Sequence, residues 1–223
     1  MTLITIDVIS DFICAWCFIG KRKLDQAISL YKKTYPGGKE DVFQIAWRPY
    51  FLNYSNSATS VDKLDLANTK LAHMSAEQRS ALGLRMSRIG HSVGINFKWG
   101  GRVGRTENAH KLVYMSRSLS ADTQNALVEA LFQAYHENEK DISSRAVLLE
   151  IATRIGINEE QVTECLDNVD DEANVEAEAM QFQSQISGSG VPAFLIHGDH
   201  KLSGAQEIQD FMEIFIKVKE CDS

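Results

Sequence analysis

Cysteine is scarce in this chain, four among 223 residues, and that scarcity excludes a small domain stapled by disulfides. Long apolar runs are missing as well. No stretch reaches the roughly 18–20 residues that a membrane-spanning helix needs, so no membrane association is expected. Positive charge is in the minority. The 23 Lys and Arg against 30 Asp and Glu leave a net charge of −7, and no basic stripe offsets it. That balance argues against a nucleic-acid partner. The cluster Lys21-Arg22-Lys23 is expected to be the solvated face of a helix. No basic flank accompanies the first apolar residues, and Asp7 cuts their run short. The N-terminus therefore reads as a strand and not as a secretory signal, with a reducing cytosol as the expected location. In such a compartment a close cysteine pair is more often catalytic, redox-sensing or metal-binding than structural.

Such a pair is present: Cys14-Ala15-Trp16-Cys17, where a short apolar strand over 3–9 runs into a helix over 15–31. Leu24, Ala27, Ile28 and Tyr31 recur at helical spacing and place the pair at the helix N-terminus. The reactive form of cysteine is the thiolate, and the unpaired N–H groups and positive dipole end of a helix stabilise that anion. The second sulfur, one turn on, is close enough to bond after small adjustments. The two form a two-electron switch. A zinc site would need a second ligand pair at suitable spacing. Cys165 and Cys221 are isolated from each other and no His pair follows a finger pattern, so no metal is expected. Those two cysteines sit singly in helical patterns and read as a small apolar residue or an exposed bystander.

The first segment reads strand, helix, strand, with the second strand over 42–47 and the turn Tyr35-Pro36-Gly37-Gly38 closing the helix. A crossover of that length favours parallel pairing. After Pro49 the composition changes, and Asn53-Tyr54-Ser55-Asn56-Ser57 reads as an exit from the sheet. From 61 to 170 strand signals nearly vanish. Ala126, Leu127, Ala130, Leu131 and Ala134 form one helical stripe, and Val147, Leu148, Ile151, Ala152 and Ile155 another, ended by Gly156. Leu82, Met86 and Ile89 form a shorter third. The Gly-rich stretch 93–105, with Trp99, is expected to loop over the surface. A helix over 172–186, a break at Gly188-Ser189-Gly190 and a strand over 191–196 follow. The turn Gly198-Asp199 leads into 201–203, and the last helix carries Ile208, Phe211, Met212, Phe215 and Val218 on one face. A helical block is inserted into an α/β frame.

Three blocks carry a family resemblance: Ser10-Asp11-Phe12-Ile13-Cys14-Ala15-Trp16-Cys17-Phe18-Ile19-Gly20-Lys21, then Asn108-Ala109-His110-Lys111-Leu112, then Gly190-Val191-Pro192-Ala193-Phe194 with Ser203-Gly204-Ala205-Gln206 beyond. In that order the chain resembles the DsbA-like branch of the thioredoxin superfamily. It looks most like the FrnE-type members, relatives of the kappa-class glutathione transferases and hydroxychromene-carboxylate isomerases. The resemblance implies a thioredoxin-like domain over 1–58 and 171–223, interrupted by a helical domain over 59–170. It also implies that Cys14 attacks, with the helix terminus supporting the same choice, and that Cys17 resolves the mixed disulfide. In the superfamily the proline matching Pro192 is cis and packs against the cysteine pair, turning the Val191 backbone toward an extended peptide or glutathione. Trp16 is expected to cover the pair or to offer a substrate an apolar surface. Asn108 and His110 become candidate substrate contacts, against the plainer reading of His110 as a half-buried helix-start residue. Asp11 is a local cap or a proton acceptor, and Arg105 and Glu107 face a glutathione-sized ligand or water. The branch usually reads Cys-Pro-Trp-Cys, and Ala15 replaces that proline here.

The expected activity is thiol–disulfide exchange through Cys14 and Cys17, with a protein dithiol or glutathione as co-substrate, no bound cofactor, and a homodimer left open. The alternative is a glutathione-dependent isomerase or transferase acting on a small aromatic or polyketide-like molecule. Relatives of that type often carry Ser at the first position and lack the second cysteine, so keeping both thiols favours redox chemistry. A third reading, redox-dependent docking without turnover, predicts a stable disulfide and a partner affinity that changes with oxidation.

Overall fold

The computed structural model describes residues 1–52, 59–186 and 188–222; the polar run 53–57 lies outside the described residues. In chain order come β1 (Leu3–Ser10), α1 (Ala15–Thr34), β2 (Val42–Pro49), β3 (Val61–Asp62), α2 (Lys63–Lys70) and α3 (Ala76–Ser92). Next are β4 (Arg102–Val103), α4 (Glu107–Met115), α5 (Ala121–His136), α6 (Arg145–Arg154) and α7 (Glu159–Asp167). The chain ends with α8 (Val169–Gln185), β5 (Ala193–Ile196), β6 (His200–Ser203) and α9 (Ile208–Cys221). Two compact units result: Met1–Tyr50 with Met180–Ser223, and Phe51–Ala179.

The first unit is a four-stranded sheet in the order β2-β1-β5-β6. β1 and β2 are parallel from Leu3↔Val42 to Ser10↔Pro49, as a crossover helix requires, and β5 and β6 run antiparallel. One face of β1 is buried, with Ile4, Ile6, Val8 and Ser10, while on the other Leu3 is exposed, Thr5 and Asp7 are half-buried and Ile9 is buried, which explains its apolar–polar alternation. Ile9 packs with Phe182, Ile186 and Ala193. Ile4, Ile6, Val8, Phe18, Leu24, Tyr31, Phe194, Phe211 and Phe215 are buried too, and each such side chain contributes about 1.5–3 kcal/mol by leaving water. One buried carboxylate ties this unit together. Asp41 accepts the Thr2 N–H at 2.7 Å, the Tyr31 hydroxyl at 3.0 Å and the Lys219 ammonium at 2.7 Å. It thereby joins the start of β1, α1 and α9.

The basic cluster on α1 differs from expectation. Lys21 and Lys23 are buried, not solvated. Lys21 pairs with Asp25 at 2.7 Å, one helical turn on, and Lys23 with Glu207 at 2.6 Å. The Arg22 guanidinium lies 5.2 Å from the Phe18 ring centroid. Their apolar stems cover core surface while their charged ends find partners.

The second unit is helical apart from the two-residue ladder of β3 and β4, Val61↔Val103 and Asp62↔Arg102. Helices α3, α5 and α7 start on side-chain caps. Ser75 and Gln78 form a capping box, and Ser120 and Asn158 accept first-turn amides. Leu112, Leu127, Leu131, Leu148, Ile151 and Val162 are buried. Ala126 is exposed while Val128 is buried, so the stripe of α5 is rotated by part of a turn from the expected one. The stretch 93–105 is anchored rather than draped over the surface. Ile95, Phe97 and Val103 are buried, Phe97 meets the His136 ring edge-to-face at 5.5 Å, and Lys98 N–H donates to the His136 carbonyl at 2.8 Å.

Candidate active site

β1 delivers the chain at Ser10, and residues 11–13 turn it into α1. The Cys14 N–H donates to the Asp11 carbonyl at 3.1 Å, while Phe12 and Ile13 bury their side chains. Asp11 Oδ1 faces the Ile13 N–H at 3.5 Å, the local-cap arrangement of the two weighed for it. Cys14 is the N-cap of α1, with extended backbone at φ −88° and ψ 114°. Its Sγ accepts the Cys17 N–H at 3.4 Å and approaches the Val191 carbonyl at 3.8 Å. The first turn of α1 carries no acidic side chain to oppose a thiolate there.

Cys17 sits one turn deeper and is 1% exposed, against 6% for Cys14. Burial pushes the Cys17 thiol well above its ordinary value, and neighbouring Cys14 adds to the rise. The Asp11 backbone and the Ser10 hydroxyl pull the other way. The two sulfurs are therefore unequal. All four cysteines are free thiols.

The Val191–Pro192 peptide bond is cis, and the Pro192 carbonyl accepts the Gly204 N–H at 2.8 Å. Gly20, one turn beyond Cys17, lies directly under this proline. A Cβ built there would stand 3.0 Å from Pro192 Cγ and 3.1 Å from Phe194 Cζ. This close approach of α1 was not assigned from the sequence. A glycine inside a helix that costs about 1 kcal/mol relative to alanine is the signal that could have found it. Trp16 is 41% exposed on the first turn of α1.

Cys14, Trp16, Cys17, Val191 and Pro192 all belong to the first unit, and Asn108 and His110 belong to the second. There Asn108 is half-buried on α4, and His110 is buried with its ring edge-to-face with Phe51 at 5.4 Å. Arg105 and Glu107 pair with each other at 2.7 Å. Lys111 is buried and donates to the Leu166 and Asn168 carbonyls at 3.2 and 2.7 Å, closing the C-terminus of α7. Among the described residues no group of three or more His, Cys, Asp and Glu side chains is gathered to hold a metal ion, and no helix is long and apolar enough to cross a membrane.

A helix-capping dithiol beside a cis-proline strand, with a helical unit inserted between the two halves of the sheet, defines a class of thioredoxin-fold proteins. Residues 5–215 match the DSBA-like thioredoxin domain, and the chain belongs to that family of thiol–disulfide oxidoreductases. Similar solved structures include a probable DsbA oxidoreductase of Streptomyces coelicolor, at 21% identity and TM-score 0.83 over 97% of this chain and 90% of that one. The cytosolic disulfide reductase DsbM of Pseudomonas aeruginosa, in a structure with GSH, is similar at 15% identity and TM-score 0.63 over 96% and 98%. A 2-hydroxychromene-2-carboxylate isomerase is similar at 13% identity and TM-score 0.63 over 97% and 96%. No curated protein sequence matches the chain.

Proposed function

We propose that this protein exchanges dithiol for disulfide through Cys14 and Cys17, taking a protein or glutathione disulfide as its substrate. The observation that carries the reading is the inequality of the two sulfurs one helical turn apart. Cys14 Sγ accepts an amide hydrogen bond at the mouth of the helix, while Cys17 is sealed beneath it with a raised thiol. Cys14 attacks one sulfur of the substrate disulfide, and the other sulfur leaves as a thiolate. Cys17 then attacks Cys14 Sγ, closing the intramolecular bond and releasing the second thiol. The substrate gains two electrons and the protein loses them. The cis Val191–Pro192 bond lies beside Cys14, and the exposed face of Trp16 offers apolar surface to the substrate. The low cysteine count suits a reducing compartment such as the cytosol, where the cycle would run toward substrate reduction.

Cys17→Ser separates this reading from glutathione-dependent isomerisation or transfer. Dithiol exchange predicts a trapped mixed disulfide at Cys14 and loss of turnover. Turnover that survives the substitution would show that one thiol suffices, and monothiol glutathione chemistry would replace the proposal.

A further inference from the structure

We propose that Gly20 and Gly204 are positioning residues: together they fix the Val191 backbone beside Cys14, where a substrate disulfide carried in an extended peptide docks. This inference deepens the dithiol-exchange reading and rests on it. The Val191 carbonyl lies 3.8 Å from Cys14 Sγ, and Val191 is half-buried. Its N–H makes no hydrogen bond among the described residues, whereas the nearby Ser189 N–H donates to the Ile186 carbonyl at 2.9 Å. Backbone amides out of water are nearly always paired. An unpaired one next to the attacking sulfur can take a carbonyl of the substrate's own backbone, as peptide-binding edges do.

The place of that amide is set through its neighbour, Pro192. Gly20 is buried in α1, the helix that Cys14 caps. A Cβ at Gly20 would stand 3.0 Å from Pro192 Cγ and 3.1 Å from Phe194 Cζ. Helix backbone and proline ring therefore meet with no side chain between them. The helix that carries the attacking sulfur thus sets its own distance from the Val191–Pro192 peptide. Gly204 supplies the second hold. It follows β6, and its N–H donates to the Pro192 carbonyl at 2.8 Å. Its φ of +83° is left-handed, so a side chain there is strained although only Gln206 Nε2, at 3.9 Å, would meet it.

Neither glycine supplies a group to the exchange itself. A β-carbon at Gly20 would force the proline ring away from α1, and one at Gly204 would turn its N–H off the Pro192 carbonyl. Each change moves the Val191 amide and leaves Cys14 and Cys17 on their helix. Docking of a peptide backbone should suffer, and attack on a disulfide without a backbone should not.

The test mixes reduced protein rapidly with two probes that release the same coloured thiolate when Cys14 attacks. One is a symmetric aromatic disulfide, which has no backbone. The other is an extended peptide whose central cysteine carries the aromatic thiol. All proteins carry Cys221→Ser because Cys221 is exposed. Gly20→Ala should lower the second-order rate constant of the peptide probe about tenfold, the scale of one misplaced hydrogen bond, and leave the aromatic disulfide within about twofold. Phe215→Leu, in the buried core on α9, is the control for lost stability alone and should keep the wild-type ratio of the two constants. A folded Gly20→Ala protein with the wild-type ratio would overturn the proposal, as would an equal fall in the ratio for Phe215→Leu. Gly204→Ala covers the case in which Gly20→Ala does not fold. It should lower the ratio in the same direction, and a folded Gly204→Ala protein with the wild-type ratio would also overturn the proposal. Failure of the underlying reading looks different: wild-type protein would then release no more colour from either probe than Cys14→Ser.

Discussion

Each unit of this molecule buries a cysteine on a helix, and only one of the two has a second sulfur one turn away. Cys165 is 4% exposed on α7, and burial pushes its thiol up to about 11, with Asp171 adding to the rise and Lys111 opposing it. Cys17 is 1% exposed on α1, and burial raises its thiol too. Burial alone therefore does not distinguish the two thiols. Cys17 has a second sulfur one turn away, which caps a helix and faces the backbone before a cis-proline, whereas Cys165 stands among the side chains of a helical core.

The largest expected contrast is between the sulfurs. Cys14→Ser should lower disulfide exchange by at least about a thousandfold. Cys165→Ser should leave the rate within about twofold, because any stability it loses acts through the fold and not the reacting atoms. Rates of reduction of a small disulfide check both.

A second contrast concerns the charge that each unit buries. Asp41→Asn removes a carboxylate held by Lys219, Tyr31 and the Thr2 N–H, and should cost about 3 kcal/mol in denaturant unfolding. Lys111→Met removes a donor to two carbonyls and should cost about 1–2 kcal/mol. Burial alone would raise the Asp41 carboxyl, but Lys219 and the other two donors outweigh it and hold it below its ordinary 3.8. Its contribution is therefore whole above about pH 4, and it is lost as the pH falls through the lowered folded value. Asp41→Asn should flatten that acid limb of stability, and melts across the acid range would show it.

Glycine gives the third contrast, with opposite signs. Gly20→Ala pushes a methyl against Pro192 and Phe194, and overpacking of this kind costs about 1–3 kcal/mol. Gly83→Ala on α3 meets nothing within 4 Å and should add about 0.5–1 kcal/mol. The smallest effect belongs to Lys63. Its ammonium donates to the Tyr135 carbonyl at 2.7 Å, and burial lowers it to about 8 although Glu139 and Asp141 pull it back up. The unfolded chain holds that proton longer, so this residue adds stability as the pH rises from 8 toward its ordinary 10.5. Direct titration of Lys63 by NMR checks the midpoint.

The legible features were those written in local pattern. The apolar run of β1, the stripe of α1 and the cysteine spacing place the dithiol at a helix start, and the Gly-rich break before Val191-Pro192-Ala193 marks the strand beside it. Features that depend on distant partners were not legible. Lys23 is buried because Glu207, far along the chain, meets its ammonium, and no property of the triplet Lys21-Arg22-Lys23 announces that. The stretch 93–105 reads as a surface loop because it is rich in glycine, yet Ile95 and Phe97 fix it in the helical core. Gly20 lies inside the motif block, but only its three-dimensional neighbours, Pro192 and Phe194, show why a side chain there would be crowded.

Equilibration of the purified protein against defined glutathione buffers, with rapid trapping of free thiols, tests the central claim most directly. Across about −300 to −120 mV, Cys14 and Cys17 should pass together and reversibly from two trapped thiols to none, in a single two-electron transition, while Cys165 stays reduced. Two thiols that remain trapped on Cys14 and Cys17 over the whole range would contradict the account.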